Sequence, residues 1–211
     1  MAEINFQNEN LEKRLPPLEA GTYPARCYAI VLSGTIHSQS FDKDVTYINF
    51  AFEIPSETIK VGGDITPRSI WARYTWPGTH EKAGLRKMLE QWRGKAFTDD
   101  DIRTGFPLSK ILGAPCILNL TADATPSGDI YNHISSVSKL MKGMKVDVPI
   151  QEQIMFNVQD ENEDFRQMEK LPPFIQNRIR ESFEYKARMN QQVGDEEAYA
   201  PIADEGEDLP F

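Results

Sequence analysis

Residues 45–54, Val-Thr-Tyr-Ile-Asn-Phe-Ala-Phe-Glu-Ile, alternate so regularly that only an extended strand can gather their apolar side chains on one side. Ile48, Phe50, Phe52 and Ile54 then face a core, while Tyr47, Asn49, Ala51 and Glu53 face away. Residues 67–76 repeat the pattern, with Ile70, Ala72, Tyr74 and Trp76 on one face and Trp71 and Arg73 on the other. Residues 22–32, rich in β-branched and aromatic types, supply a strand whose apolar face is Tyr23, Ala25, Cys27, Ala29 and Val31, leaving Arg26 and Tyr28 opposite. Large aromatics on both faces of 67–76 require that the second face be covered by protein or bind something flat. Residues 33–43, with Gly34, His37 and Phe41, read as a loop long enough to be functional.

The period then changes. Ala83, Leu85, Met88, Leu89 and Trp92 recur at helical spacing, and Gly94 supplies a stop. Residues 114–121 and 130–137 return to strand around a turn at Asp123 to Gly128. Three strands, a helix and two strands in about 120 residues are the element order of a mainly β, five-stranded OB-fold barrel with its helix between strands three and four. Another small mixed barrel or sandwich is the competing architecture. The boundaries that follow are an N-terminal arm at 1–19, the barrel domain at 20–150, a helical appendage at 151–190 and a disordered acidic tail at 191–211. In the appendage, Glu161 to Lys170 and Phe174 to Arg188 are expected as two helices, which either pack on the barrel or pair with a neighbouring copy in a homo-oligomer.

Charge supports this division. The formal net charge of −9 over 211 residues is mostly tail: residues 20–150 hold 15 Lys/Arg against 13 Asp/Glu, whereas 191–211 hold 7 Asp/Glu and no cation. A near-neutral body excludes a generally basic coating protein but leaves room for a local cationic stripe along a nucleic-acid groove. With no run of 18 apolar residues and no secretory pattern, the expectation is a cytoplasmic protein without membrane contact. Cys27 and Cys116, in apolar surroundings and without metal spacing, read as buried reduced thiols.

From Asp195 onward the chain repels itself and lacks the apolar area that would offset the entropy of ordering it. Yet it closes on Asp204-Glu205-Gly206-Glu207-Asp208-Leu209-Pro210-Phe211, where two apolar side chains stiffened by Pro210 follow the charge. That arrangement reads as a docking peptide. It resembles the C-terminal tip of bacterial and phage single-stranded DNA-binding proteins, in which acidic residues precede an apolar residue, Pro and a final Phe. The resemblance covers only the last eight or so residues and departs from the family at Leu209, where Ile is usual. It implies an OB barrel that holds single-stranded DNA, during replication, recombination and repair of phage DNA in the infected bacterium. It also implies a tip that recruits partner enzymes: Leu209, Pro210 and Phe211 would enter an apolar pocket, and Asp204, Glu205, Glu207 and Asp208 would meet a basic rim.

Single-strand binding needs stacking aromatics beside cations that follow the phosphates. The face opposite the predicted core offers Arg26 and Tyr28 on the first strand, Tyr47 on the second, and Trp71 and Arg73 on the third, with Phe41 and Lys43 extending it from the first loop. The opposing reading is that Trp71 or Tyr28 packs beneath the helical appendage. No enzyme is expected, and no cofactor. His37, His80 and His133 lack neighbours at metal-ligand spacing, and Walker, GxSxG and GxGxxG motifs are missing. Asp99-Asp100-Asp101 after Thr98 fits a helix N-terminus better than a metal-dependent nuclease. The remaining alternative is a phage accessory or virion interaction protein without strong single-strand affinity.

Overall fold

A computed structural model describes residues 16–61, 63–147 and 150–198. Its mainly β architecture is one six-stranded sheet built from β1 (Gly21–Ser38), β2 (Lys43–Val61), β3 (Asp64–Trp76), β4 (Pro115–Ala124), β5 (Ile130–Ser138) and β6 (Ile154–Asn157). Five strands follow in the order β3-β2-β1-β4-β5, all antiparallel to their neighbours, and β6 joins β1 in parallel. β3 and β5 are not paired, so the sheet stays open there rather than closing into the expected barrel.

The inner face of the sheet carries Phe50, Phe52, Ile54 and Leu118, packed against Leu85, Met88, Leu89 and Trp92 of α1 (Gly84–Arg93). This is the amphipathic helix the spacing predicted. Gly94 ends it in the left-handed region at φ 70°, a conformation that costs glycine little. Thr98 and Asp101 exchange side-chain to backbone hydrogen bonds in a capping box that opens α2 (Asp99–Thr104), so the acidic triplet begins a helix.

The outer face is covered as well, by the segment expected as an appendage. Its elements are β6, a 3-10 helix at Phe165–Lys170, α3 (Pro173–Glu181) and α4 (Phe183–Ala198). Ile154, Phe156, Val158, Met168, Leu171, Ile175 and Ile179 form a second core with Tyr28, Ala29, Val31 and Ala51 of the sheet. The appendage thus packs on its own chain, and Asn49, Ala51 and Glu53, expected to face away, are buried beneath it. The buried Glu53 side chain is satisfied by hydrogen bonds, accepting from the backbone N–H of Ile150 at 3.0 and 3.3 Å and of Gln151 at 3.1 Å.

Three other expectations change. Residues 33–43 are not a long loop: β1 continues to Ser38, and only 39–42 turn, with Asp42 at φ 47°. β1 also does not alternate throughout, because Tyr28 is an extra residue between the pairs Cys27↔Phe52 and Ala29↔Ala51. This bulge moves Ala29 and Val31 to the face of Tyr28 and hands the inner core to Ile30 and Leu32. Finally, the expected helix over 174–188 is broken at Ser182, and α4 carries helical backbone to Ala198, past the predicted start of the acidic tail at 191.

The break at Ser182 sits directly on Gly34. This glycine has φ 96°, and a Cβ added there would lie 2.6 Å from the Ser182 Cβ and 2.8 Å from a Glu184 carboxylate oxygen. Glu184 in turn accepts from the Thr35 N–H at 2.8 Å, the Thr35 hydroxyl at 2.7 Å and the Gln159 amide at 2.8 Å. Burial raises the Glu184 carboxyl, but those hydrogen bonds outweigh it and hold the group below the usual carboxylate range.

Candidate nucleic-acid interface

The seven residues expected to hold a single strand separate into two groups. Arg26 and Tyr28 are structural. The Arg26 guanidinium donates to the Gly113 carbonyl at 2.8 Å, to the Val146 carbonyl at 2.6 Å and to the Asp147 carbonyl, which fastens the connector after β5 and leaves little for a phosphate. Tyr28 is 6 % exposed and stands edge-on to Trp71, centroids 6.2 Å apart. Trp71 is half-buried and meets Phe174 of α3 edge-on at 5.8 Å, so the appendage covers much of its ring. The competing reading, that these rings pack beneath the appendage, describes Tyr28 in full and Trp71 in part.

Tyr47, Arg73, Phe41 and Lys43 remain accessible. The alternation of β2 and β3 places Lys43, Tyr47 and Arg73 on one face, with Asn49 opposite Arg73 and Tyr47 opposite Thr75 in the register. The Arg73 guanidinium lies over the Tyr47 ring at 4.5 Å from its centroid. At the tip of the β1–β2 hairpin Phe41 is 61 % exposed, with the Lys43 ammonium 5.8 Å from its ring centre. A concavity of about 410 Å³ lies between that tip and the end of β3, with Phe41, Lys43, Thr75 and Trp76 among its walls. The tip is not purely cationic, since His37 contacts Asp44 at 3.1 Å and Asp42 at 3.6 Å.

Between the unpaired strands β3 and β5 a larger cleft of about 710 Å³ opens. Arg73 and Tyr74 enter it from β3, Lys87 from α1, Tyr131 and His133 from β5, and Arg178 from α3, while no Asp or Glu lines it. Burial pushes the Tyr74 phenol up to about 12. Sequence reading gave none of Lys87, Tyr131 and Arg178 a role. The signal for Arg178 is one of position: Ile175 and Ile179 mark the apolar side of α3, and Arg178 lies beside Ile179 toward the sheet.

The chain matches no protein-family model, no curated protein and no solved structure. Function therefore rests on the geometry and on the tip's sequence.

Among the described residues no three His, Cys, Asp or Glu side chains gather as a metal site. Cys27 and Cys116 are both buried free thiols, and burial pushes each up, which leaves them unreactive as thiolates. No helix among the described residues is long and apolar enough to cross a membrane. Asp204 to Phe211 lies outside the described residues.

Proposed function

We propose that this protein binds single-stranded DNA along the accessible Tyr47–Arg73 strip and, in a phage-infected bacterial cytoplasm, protects transient single strands during replication and recombination. The observation that carries the reading is the Arg73 guanidinium stacked on Tyr47, on the same strand face as Lys43 and beside exposed Phe41. Rings that accept bases lie next to cations that accept phosphates, which is the chemistry that sequence-tolerant single-strand binding requires. The order β3-β2-β1-β4-β5 with α1 between the third and fourth strands supports an OB-type ancestry, since joining β3 to β5 would complete that barrel. The acidic tip with Leu209, Pro210 and Phe211 supports a second role, recruitment of replication or recombination enzymes.

The test is a titration of tryptophan fluorescence with oligo-dT against duplex of equal charge. Preferential quenching by oligo-dT, weakened by salt, is the expected result. Equal or absent responses to the two would favour an accessory or virion interaction protein instead.

A further inference from the structure

Arg73 and Arg178 come from parts of the chain more than a hundred residues apart and line the same cleft. Arg178 donates to the Asn49 side-chain oxygen at 3.1 Å, and Asn49 is the cross-strand partner of Arg73. Asn49 is itself buried, and its amide nitrogen donates to the Ser33 hydroxyl at 2.9 Å and to the Val31 carbonyl at 3.4 Å. With both ends of that amide held, it fixes where Arg178 sits. Tyr47 and Phe174 confine the two cations from either side, under Arg73 at 4.5 Å and under Arg178 at 5.3 Å.

Two guanidinium groups beside each other repel unless an anion lies between them. Arg178 is depressed below the ordinary arginine range by burial first and by the charge of Arg73 second, with Glu181 on the same helix partly offsetting this. Among the described residues neither Arg73 nor Arg178 has an ion pair, although exposed arginines elsewhere, such as Arg103 and Arg166, find carboxylates. The pair opens onto the carboxylate-free cleft between β3 and β5.

We propose that Arg73 and Arg178 jointly grip one backbone phosphate of a bound single strand and turn it from the sheet strip into the β3–β5 cleft. This rests on the single-strand reading and extends it: the appendage becomes a wall of the binding site. A shared phosphate would relieve the repulsion and accept planar, two-armed hydrogen bonds from each guanidinium. Lys87 and Tyr131 farther along the cleft then offer the next cation and the next ring.

The experiment compares oligo-dT binding by the full chain and by Arg178→Gln, Arg178→Lys and Arg180→Gln across a salt series. Arg180 is exposed on the same helix and donates to Gln176 and Asn177, so its variant reports loss of charge away from the cleft. Arg178→Gln should weaken binding roughly tenfold at low salt and lower the slope of log affinity against log salt by about 0.7. Arg178→Lys should keep the slope and lose part of the affinity, and Arg180→Gln should resemble the parent. If Arg178→Gln behaves as Arg180→Gln while the parent binds, the phosphate grip is wrong and the single-strand reading survives. A parent that ignores oligo-dT removes both. Should Arg178→Gln fail to fold, Arg178→Lys decides, since parental affinity with lysine would overturn a two-armed hold.

Discussion

Trp71 of β3 and Phe174 of α3 meet at 5.8 Å with their planes 87° apart, a contact that adds to the second core by which the appendage packs on the outer face of the sheet. An edge-to-face pair adds about 0.5–1.5 kcal/mol beyond the area it covers. Because Phe174 is 44 % exposed, Phe174→Ala should destabilise the protein by only about 1–2 kcal/mol while wetting Trp71. Urea unfolding should show the loss, and native tryptophan emission should move to longer wavelength. Unchanged emission would mean that the appendage does not shield Trp71 in solution.

Gly34→Ala should cost more than its single methyl suggests. The added carbon meets the Ser182 Cβ at 2.6 Å, and an L side chain resists φ 96°. A loss of about 2 kcal/mol or more is expected, together with faster amide exchange in α3 and α4 than in β2 and β3. Uniform exchange across the protein would contradict a contact local to the Gly34–Ser182 junction.

Glu184 predicts a pH dependence with a defined sign. Its carboxyl is held below the usual range in the folded protein, so the unfolded chain takes up its proton first as pH falls. The stabilisation is therefore fully present above the unfolded value, about 4.3, and is lost as pH falls through the lower folded one. Glu184→Gln should reduce stability at pH 7 and flatten the stability profile below about pH 4.5 relative to the parent. Parallel profiles for the two proteins would exclude this linkage.

The accessible strip separates stacking from charge. Tyr47→Ala should weaken oligo-dT binding by about 1–3 kcal/mol with little change in salt slope. Lys43→Gln should instead lower the slope by about 0.7. Both variants binding like the parent, while folded, would move the site off this strip.

The tip and the acidic run can be told apart because they depend on different atoms. Deleting Leu209-Pro210-Phe211 leaves all 7 acidic residues from Asp195 onward, so low-salt oligo-dT affinity should hold while a replication or recombination partner is no longer captured. Deleting from Asp195 should also tighten binding at low salt, with the gain fading as ions screen it. Equal capture by the parent and the shorter deletion would leave the segment a solubilising one.

Strand identity was legible wherever alternation ran unbroken, as over 45–54 and 67–76, because one buried face imposes a period of two. At β1 the strand was legible but its faces were not, because a single inserted residue, Tyr28, reverses them without any mark in composition. Gly34 and the polar residues around it imitate a loop, yet the glycine is there because Ser182 approaches too closely for a side chain. The coverage of the outer face had one local sign, Trp71 opposite an already apolar face. Arg178 was legible only as the neighbour of Ile179 on an amphipathic helix, since its contact with Asn49 comes from that helix folding back across the sheet.

The parallel pairing of β6 with Ala29–Leu32 has a bearing on how the chain is made. β4 covers the edge of β1 only from Gly21 to Arg26, and the stretch beyond it gains a neighbour only when Ile154–Asn157 arrives. During synthesis, the sheet assembled from earlier residues therefore carries a bare apolar edge until the ribosome has released residue 157, the kind of edge on which nascent chains join one another. A fragment ending at residue 150 would keep that edge permanently, and should collect in inclusion bodies rather than behave as a miniature of the whole.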